Sequence, residues 1–349
     1  MLIAALRDLQ WRRQRFLIAI VGTGVVFAAT LVLTGLANGF RIEAQRTVDA
    51  LGLDTYVIKS GGFGPFLGAS PFAAGEVAAV SQIPGVALAV PIVYSGTTMM
   101  DRGSPRNVNM FGVPDKGPGM PALSEGRPPS TPDEVVVADK LGRRVGDQLQ
   151  IASRTLNVVG IVHDSTALAG QPNIFLSVAG AQQLMFGGQP LVSSIGVKGT
   201  PASAPAGFRV IGRADAIEDF VRPLRVAYAA FTFMSVLLWV VASLIVGSVI
   251  YLSALERTRD FAVFKAVGVS TLSVLGGLTL QSVIVSVLAA VVGGLLSLVI
   301  GPLFPIHVVV PAPAFVALLV VGIVVGLIAS AAGLRRTVSV DPALAFGGP

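Results

Sequence analysis

The chain is 349 residues long, 53% hydrophobic and 13% charged, with a formal net charge of +6, a pI near 10.1 and a mean hydropathy of +0.77. This balance lies outside the soluble globular range and reads as a membrane protein. The basic excess flanks apolar stretches, so its expected counter-charge is anionic lipid and not nucleic acid, and the absence of cysteine excludes disulfides, thiolate metal sites and thiol nucleophiles.

Residues 1–15 form a cytoplasmic N-terminal segment. Leu2, Leu6 and Leu9 share one helical face while Asp8 and Arg12 point elsewhere, which suits either an amphipathic helix on the membrane surface or a plain extension of the first span. Phe16 to Leu36 carries no charge over 21 residues, enough at about 1.5 Å per residue to cross a hydrocarbon core about 30 Å thick. The first transmembrane helix is set at 16–37. Gly35, Leu36 and Ala37 resemble a signal-peptide cleavage site, but the apolar stretch is too long for that reading.

Residues 38–225 hold 31 of the 44 charged side chains and change to short β-type runs punctuated by glycine and proline. The runs are Thr55–Ser60, Asn107–Val113, Glu134–Ala138, Leu149–Ala152, Leu156–Val162 and Ile174–Leu176, with helices expected at Ala73–Ser81 and Val178–Met185. An α+β extracytoplasmic domain inserted after the first span follows. Within it, the run Gly61 to Gly68 sets Phe63, Phe66 and Leu67 in flexible backbone. They suit contact with lipid, cargo or a partner; a loop whose phenylalanines tuck into the core is the favoured reading.

Three further spans are expected at 226–252, 271–300 and 314–334, joined by a cytoplasmic segment 253–270 and a short proline-rich loop 301–313 that holds His307, and followed by a tail 335–349. Arg7, Arg12, Arg13 and Arg15 precede the first span, Arg257, Arg259 and Lys265 lie between the second and third, and Arg335 and Arg336 follow the fourth. Short segments rich in arginine and lysine stay in the cytoplasm, which places both termini inside and 38–225 outside. Gly24 and Ala28 in the first span, and Gly322, Gly326 and Ser330 in the fourth, recur at four-residue spacing. Small residues so spaced let helix backbones approach closely, within one chain or between two.

No phosphate-cradling Gly-x-x-x-x-Gly-Lys-Ser/Thr motif occurs, so any ATP and its magnesium would be bound by another subunit; with two histidines, no cysteine and no clustered carboxylates for zinc sites or hydrolytic triads, no catalytic or cofactor site is expected in this chain. His163 beside Asp164 lacks a placed serine and reads as a solvated loop. The spans contain no ionised side chain, which argues against ion-coupled transport; Gln281, their one amide, suits an interhelical hydrogen bond better than a polar path.

The sequence YLSALERTRDFAVFKAVGVS at Tyr251–Ser270 resembles the signature of FtsX-like permeases, and DEVVVADKLGRRVGDQLQIASRTLNVVGIVHDS at Asp133–Ser165 resembles the MacB-type periplasmic core. A basic pair and Asp-Pro-x-x-Ala in GLRRTVSVDPALAFGG add a third likeness. With the topology, the chain resembles the MacB, LolC/LolE and FtsX group of ABC transporter permeases over essentially its whole length; its size and lack of cysteine are similar to actinobacterial members. The resemblance implies four transmembrane helices plus a MacB periplasmic-core-like domain, and two copies of a cytoplasmic ABC ATPase. It further implies mechanotransmission, in which ATP-driven closure moves the outer domain.

On that footing Glu256, Arg257, Arg259 and Asp260 would orient a cytoplasmic coupling helix on the ATPase. Phe261 and Phe264 would anchor it, on one helical face with Lys265 and Gly268. Packing of these phenylalanines beneath the third span is the alternative. One four-helix chain offers one such helix, so a second permease chain, as a homodimer, is expected. An FtsX-like regulator of a cell-wall hydrolase and an ATP-independent receptor are the competing functions, with a lipoprotein or a hydrolase as the outer partner.

Overall fold

The computed structural model describes residues 13–101, 103–152, 154–256, 263, 268, 270–304 and 306–338. It divides into two compact units, Gly39–Val226 on one side and Met1–Asn38 with Ala227–Pro349 on the other.

Helix α1 runs from Arg13 to Ala50 without a proline, 38 residues or about 57 Å at 1.5 Å each. The apolar span was expected to end at residue 37; the helix does not end there, because nothing from Asn38 to Ala50 breaks it. It stops at Gly52, whose φ of +66° is a left-handed conformation that glycine adopts freely. The unit boundary falls within α1, so one continuous helix leaves the membrane unit and enters the outer one.

The outer unit is α+β. Its strands are β1 (Thr55–Lys59), β2 (Phe72–Ala73), β3 (Val86–Asp101), β4 (Ser104–Val113), β5 (Glu125–Gly126), β6 (Glu134–Ala138), β7 (Gln148–Ile151), β8 (Arg154–Val162), β9 (Thr166–Ala167), β10 (Gln171–Ser177), β11 (Leu191–Val192), β12 (Ser194–Gly199) and β13 (Phe208–Gly212). Its helices are α2 (Glu76–Ser81), α3 (Val178–Phe186) and α4 (Arg213–Val221). The main sheet runs β13-β1-β12-β3-β4-β10-β6-β8-β5, antiparallel except for the β4/β10 and β6/β8 pairs.

Alternation along the strands sorts side chains onto two faces. Val93, Val108, Met110, Val137, Ile174 and Leu176 belong to one apolar cluster that also takes in Val80 of α2 and Ala181 of α3. The opposite parity carries Tyr94, Asn109, Phe111, Asn173 and Phe175, all buried. Ala73 is not helical as expected: it pairs with Leu191 in a two-stranded ribbon, and the helix starts only at Glu76.

Helices α5 (Arg225–Glu256), α6 (Thr271–Ile300) and α7 (Ala312–Val338) complete the membrane unit, and among the described residues four helices, α1 included, are long and apolar enough to span a bilayer. Residues 253–256, placed by the sequence reading in the coupling segment, are the last turn of α5. Phe16 and Ala19 of α1 pack with Val246 and Ile250 of α5, Leu278 and Val285 of α6 and Ala329 of α7. A second cluster brings together Phe27, Leu31, Ala242, Ala289, Ala290 and Leu318. Every backbone polar group in hydrocarbon must be satisfied within the protein, which helices do internally.

Candidate functional site

At one end of the membrane unit, Arg15 Nη1 of α1 lies 3.0 Å from Glu256 Oε1 at the end of α5. Both side chains are part exposed, so the pair is worth about 0–1 kcal/mol and serves registration more than stability. Its signal was present in the sequence as two charges bracketing charge-free runs, but their pairing depends on how α1 and α5 pack. Of the expected coupling residues, Arg257, Arg259, Asp260, Phe261, Phe264 and Lys265 lie outside the described residues. Gly268 has a φ of +90°, a left-handed turn, two residues before Ser270 caps α6 by accepting from Ser273 N at 3.3 Å. The chain thus turns sharply at Gly268 immediately before the third span. The N-terminal segment 1–12 and the tail 339–349 also lie outside the described residues.

The small-residue positions sit at helix contacts within this chain. A Cβ on Gly24 would come 2.9 Å from Val292 Cγ1, and one on the facing Gly293 would come 2.8 Å from Gly24 O and 3.1 Å from the backbone nitrogen of the buried Ala28. On α7, a Cβ at Gly322 would meet Ser286 O at 3.1 Å and one at Gly326 would meet Val283 Cα at 2.7 Å. Ser282 donates to Gly326 O at 2.7 Å across the two helices, and the buried Ser330 donates to Leu327 O of its own helix. Gln281 is buried in the bundle. Between α5 and α7 an apolar groove of about 750 Å³ is lined by Val240, Leu244, Gly247, Val321, Val325 and Ile328, among others.

In the outer unit the glycine-rich loop divides the two readings of its apolar side chains. Phe66 is buried against Tyr56, Tyr94, Phe111 and stacked Phe220, whereas Phe63 stays 70% exposed with the Arg222 guanidinium 5.6 Å from its ring centre. The loop is held by Asp219, whose carboxylate accepts from Phe66 N at 2.9 Å and Gly68 N at 3.0 Å. Burial pushes the Asp219 carboxyl up, and the backbone amides of the loop and Arg222 oppose that. A Cβ on Gly64 would fall 2.0 Å from Asp219 Cγ, so only glycine fits there. Sequence reasoning missed Asp219; its only signal was a carboxylate on the α4 face that carries Ala216 and Phe220.

His163 is an exposed partner of Asp139, with Nδ1 2.5 Å from Oδ2, while Asp164 takes Arg46. Neither arrangement is a hydrolytic triad. Among the described residues no cluster of histidine, aspartate and glutamate could hold a metal ion.

Residues 16–212 match the MacB-like periplasmic core domain and residues 232–342 match the FtsX-like permease C-terminal family. An uncharacterized ABC transporter permease of Mycobacterium tuberculosis is 61% identical over the full length of both chains, and a second from the same organism is 55% identical, again end to end. The crystallised periplasmic region of MacB from Actinobacillus actinomycetemcomitans aligns with 48% of this chain and 92% of its own at 13% identity and a TM-score of 0.34. At that score the kinship rests on the sequence matches.

Proposed function

Since the chain belongs to the FtsX/MacB-type family of ABC transporter permeases, which act with an ATPase, we propose that it works by mechanotransmission and leaves ATP hydrolysis to a separate partner. Closure of two cytoplasmic ATPase subunits on ATP moves the segment 253–270, the spans follow, and the outer unit rearranges to export, extract or expel its substrate. The observation that carries this reading is helical continuity between units. α1 passes from one to the other unbroken, and α4 is joined to α5 by the single turn Arg222–Leu224. Neither connection contains a non-helical residue.

In this reading Glu256, Arg257, Arg259 and Asp260 orient the coupling segment, Phe261 and Phe264 anchor it and Lys265 shares their surface, whereas Gly268, expected on the same helical face, is not helical: its φ of +90° makes it a turn before the third span. The spans transmit motion and do not form a solute channel, which their lack of ionised side chains supports. A second identical chain gives each ATPase its own coupling segment. The outward face of α5, with Phe233, Leu237, Val240 and Leu244 exposed within one chain, supports a partner there or lipid.

Both termini lie in the cytoplasm and the outer unit outside, so reporter fusions at Ser104 and Gly199 read outside and fusions at Val269 and Gly348 read inside. Native mass spectrometry from mild detergent tests the assembly: two permease chains with two ATPase chains are expected. One permease per ATPase pair would remove the homodimer, and a chain that retains no ATPase would favour the receptor.

A further inference from the structure

The face of the outer sheet opposite the main apolar cluster carries an unbroken line of buried polar side chains. It begins on α1. Thr47 donates to Thr166 O at 2.9 Å and accepts from Asn173 Nδ2 at 3.1 Å, and the same amide reaches Ser165 Oγ at 3.1 Å. Asn173 Oδ1 then accepts from Asn109 Nδ2 at 3.1 Å, a contact created by the parallel β4/β10 register that sets these two residues opposite each other. Asn109 Oδ1 accepts from the Tyr94 hydroxyl at 3.0 Å. Tyr94 ends the polar line and begins an aromatic one: its ring lies 5.5 Å from Phe220 and 5.6 Å from Phe66. Phe220 is on α4, one residue from Asp219, which grips the glycine-rich loop, and α4 leads through one turn into α5.

Asn109 and Asn173 are fully buried and Thr47 and Tyr94 nearly so. Buried amides and hydroxyls are costly unless every group finds a partner, and an apolar core would have been simpler to build here. The α1 end is also secured sideways, since Glu43 accepts from Gly170 N at 2.9 Å and Arg46 pairs with Asp164 at 2.6 Å. The segment from Asp164 to Gly170 holds three non-glycine residues, Asp164, Leu168 and Ala169, at φ between 48° and 66°. Such backbone persists only where its surroundings over-determine it, so the bracket around α1 is stiff.

We propose that the chain Thr47, Asn173, Asn109, Tyr94 and its aromatic continuation to Phe220 is a clamp that locks the outer unit's two helical attachments, at α1 and at α4, into one body. Displacing one attachment then displaces the other. The idea deepens the mechanotransmission reading, but its test needs neither nucleotide nor ATPase, so the two can fail separately.

Thr47→Val keeps the shape of the side chain and removes its hydroxyl at one end; Tyr94→Phe does so at the other. Amide hydrogen exchange is measured on the full-length chain in detergent. Val80→Ala, on the opposite face of the sheet, is the control, compared at equal loss of thermal stability. Thr47→Val is expected to speed exchange of the Phe66 and Gly68 amides and of α4 by about tenfold over that control. Tyr94→Phe is expected to do the same reciprocally at residues 43–50. The double variant is expected to add little to either single change, the signature of one shared network. Acceleration confined to the vicinity of each substitution, or equal to that of Val80→Ala, or fully additive in the double variant, would overturn the clamp. Should Thr47→Val not fold, Tyr94→Phe alone decides by its effect on residues 43–50.

Discussion

Replacing Gly326 with alanine puts a methyl carbon 2.7 Å from Val283 Cα and 3.0 Å from both Ser282 O and Val283 N. Carbon atoms rest about 3.5 Å or more apart, so α6 and α7 must separate by roughly 0.8 Å. All three neighbours are backbone, and no rotamer change offers relief. Overpacking of this kind costs about 1–3 kcal/mol, and stretching the Ser282 to Gly326 hydrogen bond removes about 0.6 kcal/mol more. Against this stands the higher helix propensity of alanine, about 1 kcal/mol. The balance is a net loss on the order of 1–2 kcal/mol. Gly22 is the matched control because a Cβ there meets nothing within 4 Å, leaving only the propensity gain. Thermal unfolding in one detergent should therefore order the proteins Gly22→Ala, wild type, Gly326→Ala, from most to least stable. A Gly326→Ala protein as stable as Gly22→Ala would show that α6 and α7 do not pack through this position.

Asp219→Ala strips the acceptor from two backbone amides, a penalty of about 1–3 kcal/mol for each donor left buried. The loop 61–68 should become a site of limited proteolysis while the spans stay resistant, and an unchanged digestion pattern would mean that Phe66 packing and the hydrogen bonds from Arg209 to Gly62 O and from Arg222 to Phe63 O hold the loop without Asp219. The hydrogen bond from Arg127, helped by Ser130 and Thr131, holds the Glu134 carboxyl down at about 2 against an ordinary 4.5. A lowered folded pKa stabilises above the unfolded value and fades as pH falls through the folded one. The melting-temperature advantage of wild type over Glu134→Gln should thus be full above pH 4.5 and shrink toward pH 2; a gap constant across that range would contradict the assignment.

Much of this architecture is legible in the sequence because its causes are local. The charge-free runs that make α1, α5, α6 and α7 need no partner to be read, since a bilayer imposes the requirement on each alone. Glu134–Ala138 is a strand because its valines are β-branched and bounded by turns, and it coincides with β6. β3 escaped notice for a tertiary reason. Pro91 and Gly96 interrupt its pattern, yet Pro91 faces Ile195 of β12 before β3 gains its second partner, β4, at Val93, so the missing N–H is tolerated. The hold of Asp219 on a loop some 150 residues away, and the meeting of Asn109 with Asn173, exist only once strands are in register. No spacing rule finds such contacts.

Mechanotransmission, as proposed, couples ATP hydrolysis by a partner to this chain through the segment between the second and third spans. Its most direct test is the Phe261→Ala, Phe264→Ala double variant, reconstituted with the ATPase and assayed for co-purification and permease-stimulated hydrolysis. Truncating buried interface aromatics commonly costs about 2 kcal/mol or more, against less for a rim charge such as Arg259→Ala. The double variant should lose most of both signals, Arg259→Ala should lose less, and both should insert in the membrane with a protease-resistant outer unit. Full co-purification and full stimulation by the double variant would contradict the claim and move the coupling surface to the N-terminal segment or the C-terminal tail.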